Sequence, residues 1–73
     1  MKMEDVTRAI ESELPVTHTH HGVITDGYRI TAVITRYDRK TGWKYSLELT
    51  DKSRCLVIAS PEDVNLKGEN KNG

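Results

Sequence analysis

All three histidines of the chain, His18, His20 and His21, fall within the stretch "VTHTHHG". Imidazole is the commonest metal-ligating side chain and the one whose charge changes near neutral pH. On a strand, His18 and His20 share a face because side chains alternate, so their spacing is that of a chelating pair. His21 points the other way unless Gly22 bends the chain there. A structural zinc normally takes four ligands. Only Cys55, or a carboxylate such as Asp26, is left to complete a set, and the chain has no second cysteine. The expectation is a solvated, half-exposed strand end with no metal and no cofactor. His18 and His20 are the ligands to test if a metal binds.

Nucleophilic chemistry is no better supplied. Cys55 with a histidine is the single nucleophile–base pairing on offer. Cys55 opens an apolar run, where a cysteine behaves as a small hydrophobe, and a reactive thiolate needs an exposed, electropositive setting. Glu11 and Glu13 do not share a helix face, and Glu62 with Asp63 fits the support of a turn. The chain is therefore not expected to be an enzyme.

Charge offers a stronger lead. Eleven basic and eleven acidic residues cancel over 73 residues. Residues 28–54, however, hold seven Lys or Arg against three Asp or Glu, whereas residues 1–27 hold two against five. Arg36, Arg39, Lys40 and Lys44 cluster with Tyr37 and Trp43. Cations neutralise phosphates and aromatic rings stack bases, so Arg36, Tyr37, Arg39, Lys40 and Lys44 form the candidate nucleic-acid site. Two observations weigh against it. Net charge is zero, unlike a committed nucleic-acid binder, and charged hairpin tips also serve to keep sheet edges soluble.

These residues have to be positioned by a small number of elements. Met3, Val6, Ile10 and Leu14 recur at helical spacing, Glu4 and Asp5 suit a helix start, and Pro15 stops the run. A helix over 4–14 is expected. From Val16 the period becomes two. "VTHTHHGVIT" reads as a first strand with Gly22 as a bulge or bend, and "TDG" at 25–27 reads as a turn. Tyr28 to Thr35 alternate as a strand. "YDRKTGW" is a hairpin signal with Gly42 at its left-handed position. Trp43, Tyr45, Leu47 and Leu49 then face one way and Lys44, Ser46, Glu48 and Thr50 the other. "TDKSR" is a turn. "CLVIA" is apolar throughout, as expected of a strand that is central or covered on both faces. "SPEDV" reads as one helical turn and 64–66 as a last short strand. The stretch 67–73 has nothing apolar to bury and reads as a disordered tail.

The expected fold class is α+β. An N-terminal helix precedes a four- or five-stranded antiparallel meander over 16–66, in one domain over 1–66, resembling a small SH3-like or Sm-like barrel. Leu47, Leu49, Leu56 and Ile58 are expected inside, with Ile30 and Ile34. A core this small gains from a partner chain. A lone cysteine suits the cytoplasm, no apolar run is long enough to span a membrane, and the first fifteen residues are too polar for a signal peptide.

The stretches "HHGV", "GYRITAVITR" and "WKYSLELTDKSRCLVIASPEDV" also resemble short, uncharacterised proteins carried on mobile elements of Gram-positive bacteria, over roughly residues 15–66. The resemblance implies a cytoplasmic accessory protein and carries over no catalytic residue. The function expected is non-catalytic binding of a protein partner, self-association included. The alternative is nucleic-acid binding through the hairpin 36–44.

Overall fold

The first element, α1 (Met3–Glu11), buries Val6 and Ala9. It is shorter than the 4–14 read from the spacing, and Met3 stays 44% exposed. The ending explains the difference. Glu13 sits at φ 52°, the Leu14 N–H donates to the Ala9 carbonyl at 2.9 Å and the Glu13 N–H to that of Ile10 at 3.3 Å. This pair of bonds is a Schellman termination with a glutamate at the position glycine usually fills. Leu14 thus packs on the core from beyond the helix rather than from its last turn.

The structure is a computed structural model and describes residues 1–67. After α1 come β1 (Pro15–His20), β2 (Val23–Asp38), β3 (Gly42–Thr50), β4 (Leu56–Ala59), a 3-10 turn (Pro61–Asp63) and β5 (Val64–Leu66). The strands form one antiparallel sheet in the order β4-β3-β2-β1-β5. The α+β arrangement is as expected, and β1 to β4 form the expected meander, whereas β5 crosses over to pair with β1. Closure is not: the sheet is open, with β4 and β5 as its two edges. Lys67, read as the first residue of the tail 67–73, is tied to the sheet. The Lys67 N–H donates to the Pro15 carbonyl at 3.0 Å. The remainder of that stretch, 68–73, lies outside the described residues.

Two corrections concern β1 and β2. The first strand does not run on through Gly22. His20 pairs with Val23, and His21 and Gly22 form a two-residue turn with both φ positive, 51° and 79°. That is the signature of a type I′ hairpin. The turn expected at 25–27 is instead a bulge within β2: Thr17 faces Asp26 and Gly27 across the ladder, and Gly27 takes φ 89°. A positive φ is the shared property of a turn glycine and a bulge glycine.

A second irregularity, at Thr31, reverses which side of β2 faces inward. Ile30 pairs with Leu49 and Val33 with Leu47, whereas Ile34 pairs with Ser46. Ile30 and Val33 therefore point to the core and Ile34 does not, against the expectation for Ile34. On β4, Val57 pairs with Leu49 and Ala59 with Leu47. These are the inward residues, and Leu56 and Ile58, expected inside, are 60% and 57% exposed. The core comprises Val6, Ala9, Val16, Ile30, Leu47, Leu49, Ala59, Val64 and Leu66. Leu47 and Leu49, expected inside, are fully buried.

Candidate interaction surfaces

The histidines occupy the β1–β2 hairpin. Because β1 is regular, His18 and His20 do share a face, with ring centroids 5.9 Å apart. The turn brings His21 to within 4.1 Å of the His20 ring, edge to face. His18 also meets Tyr28 edge-on at 6.2 Å. Ring packing is what this arrangement shows. Among the described residues no group of three or more His, Cys, Asp or Glu side chains is placed to hold a metal ion. Cys55 lies beside β4, at the far edge of the sheet from β1.

Asp26 is engaged elsewhere. Its carboxylate accepts from the Lys67 ammonium at 2.6 Å and from the Gly27 N–H at 2.7 Å. The lysine first, then the backbone donor, hold this carboxyl below its ordinary value. The pair fastens the end of β5 to the bulge of β2.

Cys55 departs from the sequence reading. It is exposed and precedes β4 instead of opening it. Its N–H donates to Asp51 Oδ1 at 2.9 Å, and the Ser53 N–H reaches the same oxygen at 2.8 Å. The expected "TDKSR" turn is thus an aspartate-capped loop, with Arg54 at φ 66°.

The basic hairpin is built as the glycine signal implied. Gly42 has φ 79° and pairs with Asp38, whose Oδ1 accepts the Lys40 N–H at 2.7 Å. The register then sets Tyr37 across from Trp43 and Arg36 across from Lys44. The two aromatic rings meet at 5.3 Å. Trp43 was expected on the inward face with Leu47 and Leu49. It follows that alternation, yet it is 73% exposed, at the side of a shallow groove with Met1, Pro61 and Glu62. On the opposite face Arg36, Lys44, Thr41 and Ser46 border a groove of about 330 Å³, with Tyr37 and Asp38 at its rim. Structure thus brings together Arg36, Lys44 and Tyr37, and leaves Arg39 and Lys40 exposed in the connecting turn.

The surface that sequence reasoning missed is β4. It is an edge strand, and Leu56 and Ile58 project from its solvent face opposite Thr50 and Glu48. Edge strands are commonly guarded by lysine, proline or a bulge within the strand; "LVIA" contains none of these. Its shortness, between the "TDKSR" turn and Pro61, was the available signal. A cleft of about 480 Å³ also opens between the end of α1 and β2, floored by Ile10, Tyr28 and Ile30 and rimmed by charges of both signs.

No helix among the described residues is long and apolar enough to cross a membrane. Comparison with protein families, with curated proteins and with solved structures finds no match.

Proposed function

We propose that this chain is a small non-catalytic accessory domain that acts by protein–protein interaction, and that its first partner is a second copy of itself, paired edge to edge through β4. The observation that carries the reading is the open edge at Leu56–Ala59, with Leu56 and Ile58 exposed on one face. Strand addition to such an edge satisfies backbone donors and acceptors and covers apolar side chains at the same time. Self-pairing is favoured by charge. Two copies of β4 related by a two-fold axis run antiparallel, which brings the basic flank at Lys52 and Arg54 of one copy toward the acidic flank at Glu62 and Asp63 of the other. The strand between them carries no charge to repel its copy.

The non-catalytic part of the reading rests on the separation of Cys55 from the histidines across the sheet. The element order, with a one-turn connection before the last strand, supports an adaptor role by analogy with SH3-like domains, an argument from fold alone. A single cysteine accords with a reducing cytoplasm, and the resemblance to mobile-element proteins with an accessory setting. Light scattering of the wild type against Ile58→Lys tests the proposal: the wild type associates with rising concentration and the variant does not.

A further inference from the structure

We infer that the β2–β3 hairpin is a second binding site, separate from β4, which takes the phosphate backbone and bases of a single-stranded nucleic acid. Arg36 and Lys44 are direct cross-strand partners on one face. Like charges so placed are destabilising in a bare sheet, and an anion between them removes that repulsion. The groove they border adds two hydroxyl donors, Thr41 and Ser46, which suit phosphate oxygens. Arg39 and Lys40 extend the positive field into the turn.

Over residues 36–44 four cations face one carboxylate, Asp38, and Asp38 Oδ1 already accepts the Lys40 N–H. The ion pairs found among the described residues, Arg8–Asp5 and Lys67–Asp26, involve none of the four cations. The zero net charge of the chain does not cancel this local excess. Exposed charges more than about 8 Å apart are largely screened at physiological ionic strength, so charges summed over the whole chain do not set the local field. From outside the hairpin, Glu62 borders a separate groove with Lys44 and Trp43.

The other face of the hairpin carries the base-binding half. Tyr37 and Trp43 are paired, solvent-exposed rings, and Tyr37 also lines the Arg36–Lys44 groove and so joins the two faces; exposed aromatics combined with cations are the recurrent device for sequence-tolerant binding of single strands. A duplex keeps its bases stacked on one another and offers no free base face to Trp43. The single strand is therefore the form that uses both halves of the site.

The test is titration of the full chain with fluorescent single-stranded DNA and RNA of mixed sequence, the same sequence as a duplex, and inorganic polyphosphate. Single strands are expected to bind with quenching of Trp43, the chain's only tryptophan. Affinity should fall as salt rises. Arg36→Ala and Lys44→Ala should each flatten the log–log salt slope by about 0.7. Trp43→Leu should weaken binding roughly five- to 150-fold with the salt slope kept. The Ile58→Lys variant should bind as the wild type does, which separates this site from association through β4. Absence of binding at low salt overturns the inference. So does equal binding of duplex or polyphosphate with no tryptophan response, which marks a charged surface without a base platform.

Discussion

Ile58 stands directly across from Glu48 on the solvent face of the sheet, an exposed apolar side chain beside a carboxylate. The Glu48 carboxylate accepts a hydrogen bond from the Thr31 hydroxyl at 2.7 Å, and that hydroxyl also meets Thr50 Oγ1 at 2.8 Å. The outer face of β2 and β3 is therefore held by polar contacts, whereas β4 offers apolar side chains beside them. Ile58→Lys places an ammonium opposite Glu48. A cross-strand pair of opposite charge contributes roughly 0.2–1 kcal/mol, so monomer stability should be unchanged or slightly raised. Urea unfolding at low protein concentration checks this. A large loss of stability would mean that Ile58 is covered within the monomer.

Leu47 is the opposite case. It is fully buried, between Val33 on one side and Ala59 on the other. Leu47→Ala should cost about 2–5 kcal/mol, enough to unfold much of a domain with so small a core. Circular dichroism against temperature reads the outcome, and an unchanged melting midpoint would contradict the placement of β3.

The difference between these residues shows what was legible in the sequence. Strict alternation over 43–50 identified the inward face of β3, and Leu47 and Leu49 lie there. The same rule misplaced Ile34, because the irregularity at Thr31 shifts the register by one residue and nothing in "RITAVIT" announces it. Leu56 and Ile58 were misplaced because an unbroken apolar run has no period, so hydropathy alone cannot tell a central strand from an edge. Gly27 and Gly22 were recognised as points of unusual backbone, but a bulge and a turn ask the same φ of glycine. The cationic pair Arg36–Lys44 was latent in the hairpin, since fixing Gly42 opposite Asp38 fixes every pair above it. The exposure of Trp43 was not, because alternation assigns a side chain to a face and says nothing of what covers it there.

Glu13 holds a left-handed conformation at the end of α1. Non-glycine residues pay a steric cost there that glycine does not. Glu13→Gly should raise stability by about 0.5–1 kcal/mol after its own entropy cost. For a domain of this size that is a rise of roughly 3–6 °C in Tm. A lower Tm would show that the Glu13 side chain contributes more than its backbone costs.

The Asp26–Lys67 pair gives stability a dependence on acid. A carboxyl held below its ordinary value in the folded state binds protons less readily than in the unfolded chain. Its contribution is then present above the ordinary value and lost as pH falls through the lowered one. Asp26→Asn should lower the melting midpoint at neutral pH, and the difference from the wild type should vanish in strong acid. The pair is exposed, so the effect is small and should shrink in high salt. A difference that persists in acid would point to backbone geometry at the bulge as its source.

Self-association through β4 is tested most directly by sedimentation equilibrium of the wild type and Ile58→Lys, from about 10 µM to about 1 mM, a range that brackets weak association. The predicted result for the wild type is a mass rising with concentration toward twice the monomer's 8.3 kDa, with Ile58→Lys remaining at the monomer mass while folded. A wild type that stays monomeric throughout, or an Ile58→Lys variant that dimerises equally well, would contradict it.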